Sequence, residues 1–268
     1  MNDDIAFMLR RRGIRAMKYA PRQGMMLPEG CPRETEDALY RLMAKYSFRL
    51  FLRDVITHID DLRMEHLTKY CSQNAAQRYL AALLQQKMLR EIAPREHVPA
   101  AYRLTNERVR NIGGTLEWFV AEALRREFGC SAACGMRLKA SGAGGDYDVI
   151  ASVEGRLAYI EVKSSPPKHL EFSEIHAFFE RVMTLRPELA IFLEDTHLRM
   201  NDKLVPLFEE ELRQRFGSRA AQDCPVRRLK DELFAIRDAV FLINTKPDLI
   251  GNIGVCLAQF LGSRSMWR

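Results

Sequence analysis

The stretch that most constrains this chain is residues 145–164, GDYDVIASVEGRLAYIEVKS. Two short apolar runs, Tyr147–Val153 and Leu157–Lys163, flank Glu154-Gly155-Arg156. Runs of this length around a glycine turn predict a β-hairpin. Side chains two apart on a strand share a face, so Glu161 and Lys163 project from one side of the second strand. Asp146 and Asp148 enter the first strand, and a short hairpin brings Asp148 opposite the Glu161–Lys163 end. Two carboxylates and an ammonium on otherwise apolar strands are costly to bury. The carboxylates would repel, so that one takes up a proton, unless a divalent cation removes the conflict. Oxygen donors without His or Cys suit Mg²⁺ or Mn²⁺. Asp146 is the alternative to Asp148 as the ligand.

The surrounding order extends this reading. A helix is expected over Thr115–Phe128, stopped by Gly129, and a strand around Gly135–Ala140. Residues 141–145, SGAGG, form a turn before the hairpin, and Pro166-Pro167 end its second strand. Helix Glu171–Leu185, strand Leu189–Glu194 and helix Asp202–Phe216 follow. A polar loop containing Pro225, strand Ala239–Asn244 and helix Leu249–Leu261 complete the chain. The class is α/β, a mixed sheet with helices on both faces.

Asp, hairpin, then Glu-x-Lys resembles the signature of the PD-(D/E)xK nuclease superfamily, and most its archaeal Holliday junction resolvase-like branch. The resemblance covers roughly residues 113–195 and implies a restriction endonuclease-like αβββαβ core. Carried onto this sequence, Asp148 and Glu161 match the metal ligands and Lys163 the catalytic lysine. Glu117, in GGTLEWFVAEALRREFG, matches the acid many members carry on the first core helix. The residue before Asp148 is Tyr147, where the family often has Pro. The resemblance implies a Mg²⁺- or Mn²⁺-dependent deoxyribonuclease. Lesser candidates are His176 and Ser164 near the site and Lys246 in INTKP; Met25-Met26 and Phe178-Phe179 read as packing residues.

Charge divides the chain. Residues 1–112 carry 20 Lys and Arg against 13 Asp and Glu, and residues 113–268 carry 21 against 22. The basic excess points to an anionic partner for the first part. Residues 1–34, with Arg10, Arg11, Arg12, Arg15, Lys18 and Arg22, read as a basic arm able to lie along phosphates. One helix is expected from Glu34 to about His58, a short one over Met64–Cys71, and a third from Asn74 to about Leu89 with Ser72 as N-cap. Arg90–Ile92, a proline-containing turn and Ala100–Thr105 then read as two short strands. Residues 36–106 resemble a winged helix-turn-helix, which implies that Gln73, Asn74, Gln77 and Arg78 face DNA. The expected organisation is a basic arm (1–34), a winged-helix-like domain (35–112) and a nuclease-like domain (113–268).

The six cysteines lack paired spacing and read as reduced packing residues. No apolar run reaches the ~18 residues of a membrane span, and no secretory signal opens the sequence, so a cytoplasmic or otherwise intracellular protein is expected. No GxxxxGK[ST] motif occurs, which argues against an intrinsic ATPase. DNA is the expected partner. Cutting both strands would favour a homodimer, and an ATPase or helicase is a further possible partner. The alternative is a catalytically silent nuclease-fold protein that binds DNA or serves assembly.

Overall fold

The structure is a computed structural model that describes residues 3–19, 24–28, 30–59, 62–92, 101–139, 145–164 and 170–263. The expected turns at 93–100 and 141–144, Pro166-Pro167 and Arg22 lie outside the described residues. The chain divides into two units, one of Met1–Tyr19 with Val120–Arg268, the other of Ala20–Phe119.

The helical unit contains α2 (Arg33–Met43), α3 (Tyr46–Thr57), a 3-10 turn (Met64–Leu67), α4 (Gln73–Gln85), and strands β2 (Leu89–Ile92) and β3 (Ala101–Leu104). The single helix expected over Glu34–His58 is instead broken at Ala44-Lys45. The cause is a buried arginine: Arg49, 1% exposed, donates from Nη1 to the carbonyls of Met43 (2.7 Å) and Ala44 (3.4 Å). These are end-of-helix carbonyls that would otherwise lack a donor. Ser72 caps α4 as expected, its hydroxyl accepting from the Ala75 amide. Leu67, Ala76, Leu80 and Leu83 are buried, and Tyr79 packs edge-on to Phe48 at 5.1 Å. β2 and β3 pair antiparallel, and Leu62 adds a bridge to Tyr102. Met25 and Met26 are buried packing residues.

The sheet unit contains α1 (Asp3–Arg11) and β1 (Arg15–Tyr19), then β4 (Ser131–Lys139), β5 (Gly145–Val153), β6 (Arg156–Lys163), α6 (Phe172–Leu185), β7 (Leu189–Glu194) and α7 (Leu204–Phe216). A short α8 (Ala220–Asp223), a hairpin of β8 (Arg227–Lys230) and β9 (Leu233–Ile236), β10 (Val240–Ile243) and α9 (Leu249–Gly262) follow. Helix α5 (Gly113–Phe128) crosses the division between the units. The strands form an eight-stranded mixed sheet, order β1-β4-β5-β6-β7-β10-β9-β8. β6, β7 and β10 are parallel, and the other pairings are antiparallel. Glu154 and Gly155 both have positive φ, as the tight β5–β6 turn requires.

Two expectations change here. Residues 3–19 are not an arm: Ile5, Met8 and Leu9 are buried in the core, and β1 pairs with β4 at the sheet edge. The polar loop around Pro225 holds the β8–β9 hairpin. Its outer strand is largely exposed, so it lacks the alternating pattern that marks a strand. One face of the sheet is filled by α1, α6 and α7. Phe178 stands at its centre, 5.9 Å from Tyr159, 5.4 Å from Phe192 and 5.8 Å from Phe208 between ring centroids. Phe178 and Phe179 are thus packing residues, as expected.

Candidate active site

The site lies where β5 and β6 begin to part. Their ladder runs from Val153–Arg156 to Val149–Ile160, so Asp148 and Glu161 are the next residues beyond it. Asp148 Oδ2 accepts a hydrogen bond from the Val162 amide at 2.8 Å, between Glu161 and Lys163 in sequence. Asp148 is half-buried. Asp146 turns elsewhere, accepting from Arg137 Nε at 2.6 Å on the surface.

Glu161 is 2% exposed and carries a full set of donors. Arg181 Nη1 donates to Oε1 at 2.9 Å and to Oε2 at 2.8 Å. Lys163 Nζ lies 3.0 Å from Oε1, and the Tyr159 hydroxyl donates to Oε2. Lys163 also reaches Glu174 Oε1 at 3.1 Å. Tyr159, Glu161 and Lys163 alternate along β6 and so share the face against α6. Glu174 and Arg181, seven residues or two turns apart, flank Phe178 on α6. The expected carboxylate conflict is therefore relieved by two side chains of the chain itself.

Electrostatics follow the geometry. Burial works against the charge on Lys163, but Glu161 and Glu174 outweigh it and hold its pKa above the usual lysine value. Arg181 is likewise opposed by burial and raised by Glu161, Tyr159 and Asp148. Burial, then the negative charges of Glu161 and Asp148, push the Tyr159 phenol well up. Arg181 thus feels both carboxylates.

Glu117 is half-buried on the part of α5 that belongs to the helical unit. Gln73, Asn74, Gln77 and Arg78 are all exposed on α4. Arg10 and Arg11 are exposed at the end of α1, and Arg12 pairs with Glu188 at 2.7 Å. His176 does not turn to Glu161; its Nδ1 lies 3.0 Å from Glu211 on α7. Ser164 follows β6 and is half-buried, and Lys246 is exposed beyond β10.

Sequence reasoning missed Arg181. Its signal was present as an arginine within the otherwise apolar stripe Ile175, Phe178, Val182 and Leu185 of α6. No group of three or more His, Cys, Asp or Glu side chains is placed to hold a metal among the described residues. The neighbouring carboxylates Asp148 and Glu161 fit a hard cation in donor type. Such an ion would share or displace the Arg181 contact to Glu161.

No protein-family model and no curated protein matches the chain. Similar solved structures include Can2 from Sulfobacillus thermosulfidooxidans in complex with cyclic tetra-adenylate, at 16% identity and TM-score 0.44, covering 70% of this chain and 50% of that one. Protein VC1899 from Vibrio cholerae is similar at 16% identity and TM-score 0.47, covering 81% of this chain and 62% of that one. The chain therefore spans less than two thirds of either structure.

Proposed function

We propose that this chain is a metal-dependent deoxyribonuclease of the PD-(D/E)xK type, with the helical unit as a winged-helix-like DNA-binding module. One observation carries the reading: the Asp148 carboxylate accepts from the amide between Glu161 and Lys163, so both acids and the ammonium gather at the fork of two strands. Asp148 and Glu161 would hold Mg²⁺ or Mn²⁺, which when bound polarises a phosphodiester and activates water. The Val162 amide fixes Asp148, while Tyr159 and Arg181 fix Glu161. An ammonium has three donors. Glu161 and Glu174 engage two on Lys163, leaving one to hold a water or a non-bridging phosphate oxygen. Its positive charge then offsets the negative charge that develops on the phosphate. Glu174 keeps the ammonium from collapsing wholly onto Glu161.

The test is incubation of duplex and single-stranded DNA with the full chain and Mg²⁺ or Mn²⁺, beside Lys163→Ala and a chelator control. Cleavage by the parent alone, abolished by chelator, supports the reading. Equal products from both proteins overturn it.

A second reading has one observation in its favour. Because Arg181 and Lys163 satisfy Glu161 without an ion, a catalytically silent DNA-binding or assembly protein is also compatible with this cluster. It would show salt-sensitive DNA binding and no metal-dependent cutting of any DNA form.

A further inference from the structure

The carboxyl ends of the three parallel strands carry a second, separate group of side chains. Lys163 ends β6 and pairs in register with Glu194 at the end of β7, while Ile243 at the end of β10 pairs with Leu193. The chain beyond β7 and β10, together with the β8–β9 hairpin, forms a cavity of about 490 Å³ lined by His197, Arg199, Arg228, Lys246, Asp231 and Glu232. Arg199, Arg228 and Lys246 are exposed. In open sheets of this kind, ligands bind outside the carboxyl ends of parallel strands.

The cavity is built rather than incidental. Asn244, which lines it, is 0% exposed, and the residues beside it in the two loops are polar and buried: Asp195 is 1% exposed, Thr196 3% and Thr245 1%. Asn244 Nδ2 donates to the Leu198 carbonyl at 3.2 Å, and its Oδ1 accepts from the Lys246 amide at 3.2 Å, tying both loops together. Thr245 Oγ1 donates to Asp195 Oδ1 at 3.1 Å. Asn252 Nδ2 holds the carbonyls of Asn244 and Lys246 at 2.8 and 3.0 Å. Arg228 lies over the buried Phe234 ring at 5.2 Å, which orients its guanidinium. Of the two acids, Glu232 is committed to the amides of Met200 and Asn201 at 2.7 and 3.2 Å. Asp231 is exposed at the same cavity, so the outward-facing charged groups are three cations and one carboxylate, a net positive set.

We propose that Arg199, Arg228 and Lys246 form a phosphate-binding track that holds the nucleic-acid strand beside the cleavage site. This rests on the nuclease reading and adds the path of the substrate to it. β6 and β10 are two strand spacings apart, about 10 Å. A duplex strand rises about 3.4 Å per nucleotide, so Lys246 would engage a phosphate some three nucleotides from the one held at Lys163, and Arg228 on β8, four spacings or about 19 Å from β6, one roughly six nucleotides away. Arg suits this work, since its planar fork meets phosphate oxygens two at a time. Contacts of this kind carry no base identity. The track thus serves any sequence and sets position.

The experiment uses the full chain carrying Lys163→Ala, so that binding is measured without cutting. Affinity for a labelled DNA duplex and for its single strand is followed by fluorescence anisotropy across a salt series. Arg199→Glu, Arg228→Glu and Lys246→Glu are each added, with Arg213→Glu near the end of α7 as control. All four are exposed, and melting profiles verify that each variant folds. The expected result is weaker binding for the three track variants, with the salt slope reduced by about 1 for each lost contact, and no change for Arg213→Glu. Parental DNA affinity in all three overturns the track. Cleavage by the otherwise parental chain is measured separately. Parental DNA affinity in the track variants alongside intact metal-dependent cutting refutes the track and leaves the nuclease reading standing. Absence of cutting refutes the nuclease reading whatever the binding shows.

Discussion

A single guanidinium nitrogen of Arg181 donates to both carboxylate oxygens of Glu161, at 2.9 and 2.8 Å, across the interface of α6 and β6. Glu161 is almost fully buried, so this pair supplies much of what keeps its charge tolerable there. Replacing Arg181 with Met leaves Glu161 to Lys163 and Tyr159. The expected cost is about 3 kcal/mol, the lower end for breaking a buried pair. Urea unfolding of the variant against the parent measures it; coincident midpoints would show that Lys163 alone suffices.

Stability should also fall at high pH. The pKa values of Lys163 and Tyr159 are both raised in the fold above their ordinary values of 10.5 and 10.0. A raised folded value gives stability that is fully present below the unfolded value and lost as pH rises through the folded one. The loss should therefore begin above about pH 10, and a Tyr159→Phe, Lys163→Met double variant should show less of it. Melting temperatures from pH 8 to 11 test the sign; an alkaline decline of parental size in the double variant would contradict it.

Arg49 holds the break between α2 and α3 through the Met43 and Ala44 carbonyls. Arg49→Met strands these acceptors in a buried place, with an expected loss of roughly 2 kcal/mol. Hydrogen exchange at the end of α2 localises the effect. Unchanged protection there would mean that water replaces the guanidinium.

The proposed DNA-binding role of α4 predicts a separation of functions. Arg78→Ala and Gln77→Ala leave the sheet unit intact, so they should weaken DNA binding while leaving the maximal rate at saturating DNA unchanged. Titrated cleavage assays separate the two quantities. A lower maximal rate with unaltered affinity would remove α4 from DNA recognition.

The β5–β6 hairpin, β7 and the helices around them could be read from the sequence because their apolar runs are bounded by turn residues and packed by aromatic side chains such as Phe178. Asp148, Glu161 and Lys163 were legible because alternation and a short turn determine which positions meet. Arg181 was not. Helix periodicity marks it as facing the core, but only the packing of α6 on β6 brings it to Glu161. The β8–β9 hairpin was hidden because its outer strand, Arg227–Lys230, is polar and exposed at the sheet edge. The role of residues 3–19 was obscured by their charge. Their arginines suggested an arm, while Ile5, Met8 and Leu9 gave too short an apolar pattern to reveal a helix docked on the core.

Asp148, together with Glu161 and Lys163, is proposed to form a hydrolytic centre for phosphodiesters. The most direct test is nicking of supercoiled plasmid in Mg²⁺ by the parent and by Asp148→Asn, which keeps the size of the side chain and an acceptor for the Val162 amide. The expected result is metal-dependent nicking by the parent and a rate about 10²–10³-fold lower in the variant, the scale of losing one transition-state contact, with DNA affinity and melting temperature held. Equal nicking by the two proteins, or none by the parent in any divalent ion, would contradict the claim.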